Sequence, residues 1–379
     1  MHITNAKIYN SYKKSFIRAD IVVEGGKFDE ILYTGSSRGE AENIVVPGFV
    51  DIHSHGAAGV DMMSSGCEEL VKMSGYYAEN GVTTLFLTTS SAPHGSIMKM
   101  IEETKKAKSR AKINFAGIHL EGPYINKNRA GAHVPKFIKD PDTGELGDII
   151  AATIDCGLKL HITVAPELSG AFEFIAAAQK KGATISLGHT EAGGEVIKKA
   201  AALGAKSFTH LFNAMSPIHH RDPGVAGLAL AGDAYAELIC DGIHLCPEVV
   251  RLVQKAKGCQ KIILVSDSMS AAGLPEGRYS LGETDGVFVE AGRAFLKNAD
   301  GTQTIAGSTS NLYKELTNFM EFTGRSLEES LLTVTKNPAE CVGIYDKKGS
   351  IETGKDADFI IMDKQGAIKE VYVNGVPVR

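Results

Sequence analysis

The sequence predicts an α/β protein: a (β/α)8 TIM-like barrel with a small β-sandwich domain formed from both termini. Eight apolar segments alternate with helical stretches through the middle of the 379-residue chain, a pattern typical of parallel βαβ units. Short strand-like segments separated by turns occur at both ends. We therefore expect a small β domain at 1–47 plus 346–379 and a metal-dependent barrel at 48–345. A doubly wound sheet is the alternative, but no glycine-rich dinucleotide loop follows the first apolar strand.

Composition excludes several classes of partner. Charged residues make up 22% of the chain and the formal net charge is -5, so no basic field favours nucleic acid or an acidic membrane surface. The N-terminus has no apolar signal core, and no apolar run approaches membrane-spanning length. The six cysteines form no CxxC pair. We expect reduced thiols and a cytoplasmic location.

The predicted elements follow in order along the chain. The N-terminal strand-like segments lie in the first forty-odd residues, and near the C-terminus Asn374-Gly375 between two apolar triplets indicates a hairpin. The apolar runs predicted as barrel strands are 48–52, 82–87, 113–120, 158–165, 183–187, 206–211, 235–241 and 261–266. The helices predicted between them include Glu68–Asn80, Ile97–Lys108, Phe172–Lys181, Glu195–Leu203 and Glu248–Lys257.

Ionisable side chains follow the predicted barrel strands, and a barrel brings its strand ends to one mouth. His53 and His55 in GFVDIHSHG are two residues apart and so point the same way along a strand. Alone, such a pair is as often structural as metal-binding, but further candidates end other strands. They are Glu121, His189, His210 and Asp267.

Four imidazoles with carboxylates suit a divalent metal such as zinc, with iron or manganese possible, as one or two ions. A serine-based triad fits less well, because no GxSxG motif is present. Asp267, on the last strand, is the natural general base or acid. For His119 we expect a packing or supporting role and for His161 core packing or surface, while Glu167 is either a hydrogen-bonding partner at the mouth or a helix cap.

Several motifs resemble those of N-acetylglucosamine-6-phosphate deacetylases in the amidohydrolase superfamily, through essentially the whole chain. HLEGPY with THLFNAM is specific to that family, whereas HxH after the first strand is shared more widely. The motifs are HLEGPY (119–124), GHT (188–190), THLFNAM (209–215), DGIH (241–244), SDSM (266–269) and GSIETGKDADFIIMD (349–363).

The resemblance implies a hydrolase that converts N-acetyl-D-glucosamine 6-phosphate to D-glucosamine 6-phosphate and acetate in amino-sugar catabolism. Glu121, His189 and His210 match the family's core metal ligands. His53 and His55 match the HxH pair that some members have lost, so a second ion bridged by Glu121 is plausible. Asp267 matches the aspartate that takes a proton from the metal-activated water and delivers it to the leaving amine.

The resemblance also implies the substrate-binding residues. His244 matches a residue that helps to polarise the acetyl carbonyl, and Arg221 matches an arginine that reaches across a homodimer to the sugar phosphate. A guanidinium suits phosphate because it binds the oxygens bidentately. The remaining matched contacts are Ala132, His133, Asn213, Ala214, Ile305, Ala306 and Gly307.

Other functions remain open at this point. A dihydroorotase or aminoacylase would often bridge its metals with a carboxylated lysine from strand four, but that strand ends in Ala165-Pro166-Glu167. A deaminase could use the same scaffold. A non-catalytic sugar-phosphate binding protein would be expected to lack Asp267 or the metal ligands. The segment from Tyr279 to Phe295 departs from a barrel pattern and is predicted to be an extra hairpin.

Overall fold

The computed structural model describes residues 1–34, 43–154 and 157–379. The chain begins with four strands in which intermediate or exposed positions alternate with buried ones along much of β1 and β2, as expected for strands packed on one face. β1 pairs antiparallel with β2 and parallel with β4. These strands are β1 His2–Asn10, β2 Ser15–Glu24, β3 Lys27–Tyr33 and β4 Ile44–Pro47.

Eight parallel strands follow and form the barrel sheet, in the order predicted. Most of their residues are buried on both faces, which explains why they read in the sequence as continuous apolar runs. The strands are β5 Phe49–Ser54, β6 Val82–Thr88, β7 Asn114–Glu121, β8 Lys159–Val164, β9 Thr184–Leu187, β10 Ala205–Phe208, β11 Tyr235–Leu238 and β12 Ile262–Leu264.

Backbone hydrogen bonds join the ends of the first and last barrel strands. The N–H of Asp267 donates to the carbonyl of His53 at 2.9 Å, and the N–H of His55 donates to the carbonyl of Ser268 at 2.8 Å. β5 is thereby fastened to the segment after β12 at the mouth of the barrel. The predicted barrel is confirmed.

Helices surround the barrel, and all five that the sequence predicts are present with ends shifted by at most three residues. The helices at Thr143–Ile154, Gly224–Ala231, Leu312–Thr323, Leu327–Ser330 and Lys336–Cys341 were not among those named from the sequence. Four short 3-10 helices, at Lys127–Arg129, Pro135–Phe137, Cys259–Lys261 and Leu331–Val334, complete the helical structure that is described. The α-helices are α1 Cys67–Glu79, α2 His94–Lys108, α3 Thr143–Ile154, α4 Ala171–Lys180, α5 Gly194–Ala202, α6 Gly224–Ala231, α7 Pro247–Lys257, α8 Leu312–Thr323, α9 Leu327–Ser330 and α10 Lys336–Cys341.

The segment after β12 contains a four-stranded antiparallel sheet, so the prediction of a single hairpin was wrong in extent. Three turns rather than one interrupt the segment. The first contains Gly282, where a φ of +55° and the closeness of the Ser90 side chain to the position of a Cβ both favour glycine. The N–H of Gly282 donates to Asp61 Oδ2 at 2.7 Å, so the sheet is anchored beside the mouth. Its strands are β13 Gly277–Leu281, β14 Thr284–Glu290, β15 Arg293–Lys297 and β16 Gln303–Ile305.

The last strands return to the N-terminal ones and complete one seven-stranded sheet, in the order β19-β18-β17-β4-β1-β2-β3. β17 Phe359–Met362 pairs antiparallel with β4, and β18 Ile368–Val373 is followed by β19 Val376–Pro377. The small β domain built from both termini is thus confirmed, whereas its exact division at 47 and 346 stays a prediction. Across the described residues, every helix is too short or too polar to cross a membrane.

Candidate metal and active site

The five predicted metal ligands meet at the mouth of the barrel, around the carboxylate of Glu121. On one side, Glu121 Oε1 lies 2.9 Å from His210 Nε2 and 3.1 Å from His189 Nε2. On the other, Glu121 Oε2 lies 3.1 Å from His55 Nε2 and 3.5 Å from His53 Nε2. All five residues are buried.

These contacts define two groups that share one carboxylate. We call Glu121, His189 and His210 the first group, and Glu121, His53 and His55 the second group. Within each group one ligand atom from every residue lies within 4.8 Å of the others, which is close enough for a single ion to bind all three. The arrangement can hold one ion or two with Glu121 as the bridge.

The tautomer of His189 shows that this geometry fits a cation. His189 Nδ1–H donates to the carbonyl of Arg129 at 2.6 Å, and a carbonyl can only accept. In the neutral ring Nε2 therefore carries a lone pair, and it faces Glu121 Oε1 and His210 Nε2, each 3.1 Å away. Lone pairs and a carboxylate converging in this way repel one another unless a cation or proton lies between them.

Asp267 stands at the same mouth, beside the second group. Its Oδ1 lies 3.2 Å from His55 Nε2 and 3.3 Å from His53 Nε2. Its N–H is bonded to His53, and its carbonyl accepts a hydrogen bond from the N–H of Ser308 at 2.7 Å. The carboxylate is thus held at a fixed place while still lining the cavity described below.

The pKa values of His55 and Glu121 also indicate that the site favours positive charge. Burial alone would lower the pKa of His55, but the carboxylates of Asp267 and Glu121 outweigh it and raise the pKa to about 9. Burial would raise the pKa of Glu121, but His53 and the other imidazoles hold it well below its usual range. His189 differs, because burial dominates and lowers its pKa to about 4.

Three of these residues have backbones in the left-handed region. The φ angles are +48° at His189, +29° at His210 and +44° at Asp267. Such angles are uncommon for residues other than glycine and typically occur where function imposes a particular side-chain direction. They turn each side chain inward where the strand ends.

The candidate site opens into a cavity of about 350 Å³, in the range of small-molecule sites. Most of the predicted substrate-binding residues line it. They are Ala132, His133, Asn213, Ala214, His244, Ile305 and Gly307.

The structure locates two predicted residues elsewhere. Ala306 is fully buried and packs in the core of the four-stranded sheet, its N–H bonded to the carbonyl of Ala294. Arg221 is exposed, with Nη1 2.6 Å from His220 Nε2, and lies outside the residues that line the cavity.

Three residues left open by the sequence acquire definite places. Glu167 Oε1 accepts from Asn126 Nδ2 at 2.8 Å, so this carboxylate is a hydrogen-bonding partner at the mouth. His119 Nε2 lies 2.8 Å from Thr163 Oγ1, and His161 Nδ1 lies 2.8 Å from Thr184 Oγ1. Both rings are fully buried beneath the two groups, which agrees with the packing or supporting role expected for His119 and selects core packing over surface for His161.

Sequence reasoning missed other residues of the site. Among those lining the cavity are Asn128 and Arg129, from the loop after β7, and Thr304 at the end of the inserted sheet. Beneath the mouth, Glu237 Oε2 lies 3.3 Å from His53 Nδ1. One signal could have revealed Glu237, because it is a lone charge inside the apolar strand β11.

Eight parallel strands with histidines and carboxylates at their carboxyl ends define a barrel hydrolase whose donor set fits a divalent metal. The amidohydrolase family model matches residues 44–378. The chain belongs to the amidohydrolase family.

Individual relatives show which members of the amidohydrolase family this chain resembles. N-acetylglucosamine-6-phosphate deacetylase from Bacillus subtilis is 37% identical over 87% of this chain and 83% of its own. The crystal structure of N-acetylglucosamine-6-phosphate deacetylase from Thermotoga maritima has a TM-score of 0.91 at 32% identity, covering 100% of this chain and 99% of its own. N-acetylgalactosamine-6-phosphate deacetylase from Escherichia coli O157:H7 is 31% identical over 88% of this chain and 87% of its own.

Proposed function

We propose that this enzyme hydrolyses the N-acetyl group of N-acetyl-D-glucosamine 6-phosphate to give D-glucosamine 6-phosphate and acetate in amino-sugar catabolism. The observation that carries the proposal is the meeting of Glu121, the four histidines of the two groups and Asp267 at the mouth of the barrel, beside one cavity. The named activity of the relatives from Bacillus subtilis and Thermotoga maritima supplies the substrate.

The first group and, where a second ion binds, the second group are the proposed metal ligands. A divalent cation held there would polarise the amide carbonyl and make a water molecule more acidic. Zinc, iron and manganese all accept this set of imidazole and carboxylate donors, so the donors leave the element open.

Asp267 is the proposed proton carrier. Its carboxylate accepts a proton as a water oxygen attacks the acetyl carbon, and then gives that proton to the nitrogen as the C–N bond breaks. The products are acetate and the free amine. The backbone bonds of Asp267 to His53 and Ser308 keep it at one place through both transfers.

Two histidines would orient the acetyl group and the sugar. His133 Nδ1 accepts from the N–H of Ser91 at 2.9 Å, so in its neutral form the ring carries its proton on Nε2, which lies 3.4 Å from Glu121 Oε2 and would donate to a ligand oxygen bound beside that carboxylate. His244 is held by Asp241, with Nδ1 2.8 Å from Oδ2. The backbones around Asn213, Ala214, Ile305 and Gly307 line the rest of the cavity and complete the proposed contacts.

Phosphate recognition is assigned to Arg221, contributed by the second subunit of a homodimer. Its exposed place outside the cavity of its own chain supports this assignment, because a subunit partner could bring it to the neighbouring mouth. Ala306 would then contact the ligand only through its backbone. The cytoplasmic location also stays a prediction.

One second candidate has specific support. The relative from Escherichia coli O157:H7 is a deacetylase of N-acetylgalactosamine 6-phosphate, a sugar that differs at one hydroxyl. A dihydroorotase, an aminoacylase or a deaminase is less well supported, because strand four has no lysine at its tip to bridge two metals and the relatives named above are sugar-phosphate deacetylases. Ligand binding without turnover is less well supported because Asp267 and both ligand groups are present.

A direct assay separates these candidates. Purified protein with measured metal content would be supplied with each of the two acetylated sugar phosphates, an acylated amino acid, dihydroorotate and an aminated base, and acetate, amine and ammonia would be followed. We expect acetate release, fastest from N-acetyl-D-glucosamine 6-phosphate. Binding of that sugar without acetate release would contradict the enzymatic proposal.

A further inference from the structure

Glu237 is a fully buried carboxylate in the middle of barrel strand β11, beneath the mouth. Its Oε2 lies 3.3 Å from His53 Nδ1, and its Oε1 lies 3.5 Å from His161 Nε2. An ionised carboxylate away from water is stable only with close partners, and both partners here are imidazoles. One of them belongs to the second group.

The contact with Glu237 fixes how His53 faces the mouth. A carboxylate accepts, so Nδ1 of His53 carries a proton, and in the neutral ring, as in a ring bound to a cation, Nε2 then presents its lone pair. That lone pair faces Glu121 Oε2 and Asp267 Oδ1 at 3.5 and 3.3 Å. Glu237 thus orients the ring and, by polarising it, makes Nε2 a better donor to a cation.

The two groups differ in what lies behind their histidines. In the first group, His189 Nδ1 donates to a neutral main-chain carbonyl, that of Arg129, at 2.6 Å. In the second group, His53 Nδ1 meets a full negative charge. Among the described contacts of these ligands, the carboxylate of Glu237 therefore lies behind a histidine of the second group, and no such carboxylate lies behind a histidine of the first group.

The carboxylate of Glu237 affects how many cations the centre can hold, because it changes the formal charge of the site. With Glu121, Asp267 and Glu237 ionised, two divalent cations leave a formal charge of plus one at the centre. Neutralising Glu237 raises the formal charge of the centre with two cations to plus two. A centre with a single cation would then be neutral, because Glu121 and Asp267 balance its two charges. In a buried site of low effective dielectric, such an increase disfavours the second cation.

We propose that Glu237 is a positioning residue that enables the second group to hold its own metal ion, so that this chain binds two ions per subunit. The inference rests on the proposed function only in that the centre is taken to be a metal centre. It concerns which of the two groups is filled and does not depend on the substrate.

The test counts metal in Glu237→Gln, whose side chain has nearly the same shape but no charge. Protein freed of metal by chelation would be titrated with Zn²⁺, and bound zinc would be measured calorimetrically and by elemental analysis after dialysis. We expect two ions per chain in the wild type and one tightly bound ion in Glu237→Gln, with the second bound about 10- to 100-fold more weakly.

Two variants calibrate the result. His53→Asn removes a ligand of the second group and should reproduce the stoichiometry of Glu237→Gln. Asp358→Asn neutralises another buried carboxylate, which pairs with Lys348 at 2.6 Å just before strand β17, and should retain two ions. Equal zinc affinity in Glu237→Gln and the wild type, or a single ion in the wild type, would overturn the proposal.

A second measurement uses the wild type alone and so remains informative if Glu237→Gln fails to fold. Nitrogen-15 NMR of histidine-labelled, zinc-loaded protein should show the His53 ring protonated at Nδ1, with a metal-bound Nε2. Protonation at Nε2 would refute the proposal. Two ions and this tautomer in a protein that releases no acetate would instead refute the proposed function and leave the present inference standing.

Discussion

The two ligand groups that share Glu121 are alike in composition but differ in how the chain holds them. His53 lies in strand β5 and His55 is the first residue after it, and their common direction follows from the two-residue repeat of extended backbone. His189 and His210 follow their strands on backbones with positive φ. The direction of the histidines in the second group therefore follows from the local sequence. The direction of the histidines in the first group depends on tertiary contacts that hold the backbone at unfavourable φ angles.

Substitution of Glu121, the ligand that both groups share, should have the largest effect on metal binding and activity. In Glu121→Gln both groups lose their common carboxylate, so we expect metal content to fall to near zero and kcat/KM to fall by roughly 10⁴-fold or more. Elemental analysis and the acetate-release assay measure the two effects. Retention of one full ion with normal turnover would mean that the groups do not share this ligand.

Asp267→Asn should separate metal binding from proton transfer. The amide keeps the shape of the side chain but cannot carry the proton, so we expect unchanged metal content and a decrease in kcat of about 10²- to 10⁴-fold. KM should change little. Turnover at the wild-type rate would exclude Asp267 as the proton carrier.

Substituting one histidine from each group should show that the groups are unequal. We expect His53→Asn to lose one ion and about 10- to 100-fold of kcat/KM, because the first group remains complete. His189→Asn, the matched variant, should lose more activity, since it disrupts the core ligand set. Equal losses of metal and activity in both variants would show that the ions bind only as a pair.

An effect confined to KM should come from Arg221, which lies outside the cavity of its own chain. In Arg221→Ala we expect a rise in KM of about 10- to 100-fold with kcat little changed, because charge-assisted hydrogen bonds to the phosphate are lost. Mixing this variant with Asp267→Asn should restore part of the activity if Arg221 serves the neighbouring subunit. Absence of restoration in verified mixed dimers would place its action within its own chain.

The barrel could be predicted because the patterns that indicate its strands lie within short stretches of the sequence. Eight apolar runs gave the strand order, and the histidines and carboxylates at their ends identified the mouth. Glu237 was not recognised, because one charge in an apolar run has no partner visible in sequence, and His53 lies 184 residues away. The inserted sheet was underestimated, because its turns resemble those of a hairpin with a long loop.

The bond between Asp267 N–H and the carbonyl of His53 has a consequence for biosynthesis. A ribosome completes every proposed metal ligand, the last being His210, before it reaches the strand that closes the barrel. Until β12 emerges, His53 and Asp267 cannot be fastened together. A chain that ends between His210 and β12 therefore carries all the proposed ligands without an enclosed centre, and Asp267, the proposed proton carrier, is made after all of them.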